Sequence, residues 1–235
     1  MLSAIAIVPS APVMVPQLVG SAAAETSELR AAVLAAASIL PQRWIAVGVG
    51  PDDAVFGPEA AGTFAGFGVD VPVRLSPTSS GPAADLPLCA LIAGWIRGAA
   101  DPSAGVEVRV CATTHPVEVA VAVGRRLRDQ IDESDEPVGV LIVADGANTL
   151  SPPAPGGYEP DSLGVQQALD DALACGDVAA LTALPDAVVG RVAYQVLAGL
   201  TGSDPVATHE IYRAAPYGVG YFAGTWSPVT GGSAP

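Results

Sequence analysis

Apolar residues along this chain fall into short continuous runs, separated by longer stretches in which they recur every three or four positions. The runs at 2–8 ("LSAIAIV"), 44–49 ("WIAVGV"), 106–112 ("VEVRVCA") and 138–144 ("VGVLIVA") read as buried strands. They are short, partly β-branched and closed by Pro, Gly or Asp nearby. Residues 21–40, 86–98, 116–131, 162–175, 177–184 and 186–200 read as helices, the first carrying a start signal in "ETSELR". "YGVGYFAGTW" reads as a closing strand. Strands alternating with helices, several of them continuously apolar, predict an α/β fold: a mostly parallel central sheet with helices on both faces. No linker or repeat divides the chain, so residues 1–227 are expected to form one domain and 228–235 a flexible tail.

In a sheet of this kind ligands bind beyond the carboxyl ends of the strands. Three predicted strands end in polar loops there: the first at Ser10, the second at Asp52 and Asp53, the third at Asp145 and Asn148. Such residues also cap helices and make turns. It is their shared position at strand ends that makes them site candidates.

Composition narrows the function. Half of the 235 residues are apolar and 14% are charged, which argues against disorder. The bases number ten, all arginine, against 24 acids, for a formal charge of -14. A nucleic-acid binder needs the opposite sign, and the one dense basic group, Arg125, Arg126 and Arg128, runs straight into acids as a solvated helix end does. No stretch offers the roughly 18 uninterrupted apolar residues of a membrane span. The prolines of "IVPSAPVMVP", with no basic residue ahead of them, do not suit a signal peptide. Cys89, Cys111 and Cys175 are scattered without CxxC spacing, the usage of reduced thiols in a cytoplasm. "VGVGPDD" lacks the third glycine of a dinucleotide fingerprint, no Walker lysine exists, and no GxSxG elbow occurs. His115 and His209 are the only imidazoles. The first reads as a structural residue at a helix start, and the second stands beside Glu210 in a loop before the last strand.

Several segments together resemble a known family. "IVPSAPVMVP" is similar to the N-terminal "PHxP" segment of class III extradiol ring-cleavage dioxygenases of the subunit-B type and their Memo-like relatives. "VGVGPDDAVF" resembles the second strand of that superfamily, which ends in Ser-Pro-His. "VADGANTL" resembles its "GD-x-SH" segment, "GYEPDSLGVQQALDDALACGDVAALTAL" the stretch that follows, and "APYGVGYFAGTW" the closing strand. The resemblance spans nearly the whole chain by order and spacing.

It implies a single α/β domain with an open non-haem Fe(II) site, two histidines and a carboxylate holding the iron and another histidine moving protons. Carried over by position, the histidines fall on Ser10, Asp52 and Asn148, with Asp145 as the aspartate of the third motif. The implied roles are Asp52 and Glu210 as metal ligands, Asn148, Asp145 and His209 in catalysis, and Ser10 and Arg213 against substrate. Loss of the imidazoles argues against dioxygenase activity of the chain's own, since an oxygen-only set suits Mg or Mn better than a dioxygenase iron. Two other readings stay open: a non-catalytic Memo-like binding or scaffold protein, and a divalent-metal hydrolase or lyase. The expected partners are a small-molecule ligand and, for a glycine-rich closing strand, a second copy of the chain.

Overall fold

The four apolar runs become the parallel centre of one seven-stranded sheet. The computed structural model describes residues 1–229. Its first half comprises β1 (Leu2–Val8), α1 (Pro16–Val19), α2 (Ser27–Ala37), β2 (Arg43–Gly50), β3 (Ala54–Phe56), β4 (Ala61–Thr63), β5 (Pro72–Arg74) and α3 (Leu88–Ala100). The second half adds β6 (Gly105–Ala112), α4 (Val117–Asp132), β7 (Val138–Val143), α5 (Ser162–Cys175), α6 (Val178–Thr182), α7 (Arg191–Thr201), β8 (Val206–Ala214) and β9 (Tyr221–Pro228). The sheet order is β3-β6-β2-β7-β1-β9-β8, and β4 and β5 pair separately as a two-stranded sheet. The expected α/β architecture holds, with one refinement. Only β6, β2, β7 and β1 pair in parallel, while β3, β9 and β8 join as antiparallel neighbours.

The alternation of side chains along a strand divides the core in two. Ala4, Ala6 and Val8 of β1, with Trp44, Ala46 and Leu141, pack under α2 and α3. Ile5 and Ile7, with Ile45, Val47, Val140 and Ile142, pack under α4, α5 and α7. Both faces are therefore apolar, which is why β1, β2 and β7 carry no polar side chain beyond Ser3 and Arg43 near their starts. Each fully buried aliphatic side chain contributes about 1.5–3 kcal/mol. On the second face α4 and α7 touch backbone to backbone. A Cβ on Gly124 would lie 2.1 Å from the Val196 carbonyl oxygen, and one on Gly199 would lie 2.1 Å from that of Val121.

Several boundaries differ from the sequence pattern for identifiable reasons. β8 was expected as a loop, because its residues are half-buried or exposed and form no apolar run. β3, β4 and β5 are three residues each, too short for any period to register. The helix expected over 21–40 starts only at Ser27, behind a 3-10 turn over Gly20–Ala24. The last helix starts at Arg191, not 186, because residues 185–190 turn back on the β7 loop through Val189 N–H to Gly146 O (3.1 Å) and Gly190 N–H to Asp145 O (2.9 Å). β9 runs to Pro228, into the expected tail. Val206 and Ala207 pair with Pro228 and Ser227, and Val229 N–H donates to Pro205 O. The rest of that tail, 230–235, lies outside the described residues. The three cysteines are all free. Among the described residues no helix is long and apolar enough to cross a membrane.

Candidate functional site at the strand ends

Chain direction creates the crevice. After β1 and β2 the chain leaves toward the α2–α3 face, and after β6 and β7 toward the α4–α7 face. β7 lies between β2 and β1, so the loops beside it depart to opposite sides, the arrangement that opens a ligand crevice in such sheets. Asp145 stands at the end of β7, in the middle of that opening.

Asp145 is held in place from three directions. Its Oδ1 accepts the Ser10 amide N–H at 2.8 Å. Its loop is clamped by Tyr194, whose hydroxyl donates to Ala144 O (2.8 Å), and by Gln166, whose Oε1 accepts Ala147 N–H (2.8 Å). Gly146 and Ala147 also exchange backbone hydrogen bonds with Gly220 at 2.9 and 2.8 Å. Gly146 and Gly220 let the Gln166 amide come this close, since a Cβ on either would lie within 2.1 Å of it and displace it. Burial pushes the Asp145 carboxyl up to about 7, partly offset by the Ser10 hydrogen bond. Protein atoms crowd it deeply, yet the residue keeps some solvent-accessible surface. Such a group stands at the partly open surface of the strand-end loops rather than inside a sealed core.

Asp170 lies behind this loop, buried, and accepts from Gln166 Nε2 at 2.8 Å. Desolvation raises its carboxyl to about 6. One amide, Gln166, thus bridges the Asp145 loop and a second carboxyl that titrates near neutrality.

At the ends of β2 and β6 a carboxylate meets an imidazole. Asp53 accepts Ala112 N–H at 2.8 Å, and its two oxygens lie 2.7 and 2.9 Å from His115 Nε2. The Ala112 hydrogen bond chiefly, with help from His115, holds the Asp53 carboxyl below its ordinary value. Next to it Arg191 pairs with Asp186 at 3.1 Å and borders a cleft of about 440 Å³ that Thr113, Thr114 and Val189 also line. A carboxylate so placed orients the imidazole and leaves its second nitrogen for a ligand.

Of the other sequence candidates, only Ser10 and Asn148 lie with Asp145. Ser10 contributes its backbone amide to Asp145, and Asn148 lies within its own loop, its side-chain oxygen against Gly156. Asp52 is exposed on a separate cleft of about 340 Å³ with Phe56 and Asp85. Glu210 and Arg213 lie on the edge strand β8. There Arg213 donates to Glu210 (2.8 Å) and to Asp171 (2.7 Å), both of which push its basicity up. Arg213 is therefore committed to its own chain rather than to a substrate. His209, expected in a loop near the site, is exposed on the same strand opposite Thr225.

These placements correct the expected metal set. Four inter-strand steps separate β2 from β8, roughly 19 Å at about 4.8 Å each. Asp52 and Glu210 therefore cannot share an ion. His115 follows β6, one strand farther still from His209, so both imidazoles cannot grip one iron either. Among the described residues no three His, Cys, Asp or Glu side chains cluster as a metal-holding group. The donors present do not fit an Fe(II) site of the two-histidine, one-carboxylate kind.

Asp53 was a strand-end candidate to which the resemblance gave no role, and His115, Arg191 and Gln166 were not site candidates. Those three carried no signal, because their partners are remote along the chain.

The fold and the strand-end loops define an α/β protein with a candidate ligand site at the carboxyl ends of its parallel strands. No family model matches the chain, and no curated protein matches it. A solved structure does: the crystal structure of an uncharacterized protein from Escherichia coli K12 is similar with a TM-score of 0.57 at 9% identity, over 95% of this chain and 99% of that one. That likeness shows the fold alone.

Proposed function

We propose that this chain is a class III extradiol ring-cleavage dioxygenase-like protein that lacks iron-dependent ring opening and uses the strand-end crevice to bind a small molecule. The observation that carries the reading is Asp145. It is a carboxyl group without an ion-pair partner among the described residues, pinned by Ser10, Gln166 and Tyr194 and still reached by solvent. Holding it there costs folding stability above its pKa, and nothing in the core packing requires a carboxylate at that place. With a pKa of about 7 it accepts hydrogen bonds from a ligand hydroxyl when charged and donates one when neutral. The order of the polar loops along the chain supports the family part of the reading.

The hydrolase or lyase reading loses its ligand pair with the separation of Asp52 and Glu210. A purely scaffolding role has no specific observation in its favour.

Purified protein is tested by metal analysis, by oxygen uptake with catechol, and by the melting shift that catechol induces. The expected result is no stoichiometric iron, no catechol-dependent oxygen uptake, and a shift present in the natural chain but absent in Asp145→Ala. Stoichiometric iron with uptake overturns the reading. So does the absence of a shift, or an equal shift in both proteins.

A further inference from the structure

A cleft of about 560 Å³ opens between β5, the last turns of α3 and Gln17, and it shares no residue with the strand-end site. Its volume lies within the range that holds a small organic ligand. Its charge runs against the molecule as a whole. In a chain of net charge -14 it is lined by two arginines, Arg74 and Arg97, and neither makes an ion pair among the described residues. Arg74 is exposed, while Arg97 is only 7% exposed.

Arg97 is held by carbonyls alone. Nε donates to Arg74 O (3.0 Å), and Nη1 donates to Pro102 O (2.8 Å) and Ala104 O (3.2 Å). Nη2 has no protein partner among the described residues and is not sealed from solvent. The carboxylate that acts on this guanidinium through space, Asp101, is engaged by Ser103. Desolvation accordingly pulls the Arg97 pKa below its ordinary value. A buried cation whose only counter-charge acts through space is costly, and an anion seated at Nη2 relieves more of that cost.

Two more features shape the cleft. Trp95 forms part of its wall and is half-buried, whereas Trp44 and Trp226 are buried with their indole N–H groups bonded to Pro41 O and Leu173 O. Gly98 lies beside Trp95 inside α3, where glycine is the least favourable residue after proline. Packing does not require it, because a Cβ there meets nothing within 4 Å. Gly94, one turn earlier, differs: its Cβ would stand 2.3 Å from Val73 Cγ1. Gly94 serves the fold, and Gly98 leaves the cleft bare.

From this geometry we infer that the cleft binds a small aromatic carboxylate. The carboxylate lies between Arg97 Nη2 and the Arg74 guanidinium, and the ring lies over Gly98 against Trp95. Guanidinium groups match carboxylates through paired hydrogen bonds, and an indole supplies a flat apolar surface.

The test titrates the full chain with sodium benzoate at constant ionic strength, followed by tryptophan fluorescence and by calorimetry. The expected result is saturable binding with Kd below about 10 mM. Trp95→Phe removes the fluorescence change. Arg74→Ala weakens binding by about tenfold or more, the effect of losing a charged hydrogen-bond partner. Gly98→Leu fills the cleft from an exposed helix position and abolishes binding without lowering the melting temperature. Benzyl alcohol, a ring without charge, and acetate, a charge without a ring, each bind about tenfold more weakly than benzoate or worse. Four results overturn the inference: no saturable benzoate binding, an unchanged fluorescence response in Trp95→Phe, full affinity in Arg74→Ala or Gly98→Leu, or equal binding of either partial ligand.

Discussion

Replacing Asp145 with Asn isolates the electrostatic cost of the strand-end carboxyl. Asn keeps an acceptor oxygen for the Ser10 amide, which lies 2.8 Å from Oδ1, but it does not titrate. The carboxyl moves from 3.8 to about 7 on folding. At about 1.4 kcal/mol per pKa unit that is roughly 4 kcal/mol. Part is recovered because solvent reaches the group, which leaves about 2–4 kcal/mol. The folded protein binds this proton more tightly than the unfolded chain does. The group therefore costs nothing below the unfolded value near 3.8, and destabilises progressively as pH rises to about 7. Urea unfolding of both proteins at several values between about pH 4.5 and 8.5 gives the difference directly, since other groups titrate in both and cancel. The two proteins should be close in stability at the acid end. By the alkaline end Asp145→Asn should be more stable by about 2–4 kcal/mol. A difference flat with pH, or one favouring the natural chain as pH rises, refutes the placement of this carboxyl.

Four further variants test packing and charge. Gln166→Leu strands the Ala147 amide and removes the donor to Asp170, so urea unfolding should show a loss of about 2–4 kcal/mol. That loss should be larger above pH 6 than below, because the Gln166 hydrogen bond favours the charged form of an Asp170 that titrates at about 6. Gly124→Ala should destabilise by about 2 kcal/mol or more, against its helix propensity, since the new Cβ strikes the Val196 carbonyl. Gly98→Ala, where nothing lies within 4 Å, should instead stabilise by up to about 1 kcal/mol, and the two melting curves side by side check both. Arg213→Ala should cost only about 0.5–1 kcal/mol, and less in high salt, because its partners Glu210 and Asp171 are solvent-accessible.

What was legible in the chain follows from burial. β1, β2 and β7 were visible because strands covered on both faces carry apolar residues at nearly every position, and β6 because its valines alternate with Glu107 and Arg109. Asp145 was visible because it interrupts such a run. β8 was not, because as an edge strand its residues alternate between exposed and half-buried. His209 and Glu210 were thereby drawn toward a site that they do not join. Arg97 was hidden for a different reason. It sits within an apolar helix, and nothing nearby in sequence shows that Pro102, Ala104 and Arg74 would supply its acceptors.

The chain by itself determined which segments become strands and helices, and which strand ends carry polar groups, because those properties depend on neighbours a few residues away. Strand order was decided only in three dimensions. Placing β7 between β2 and β1 seats Asp145 against Ser10, 135 residues apart along the chain. Placing β8 at the far edge takes Glu210 out of reach of Asp52. Backbone hydrogen bonding joins any strand to any other almost equally well. Which strands become neighbours is selected by how the helices cover both faces at once, and that packing is written in contacts between residues far apart in sequence.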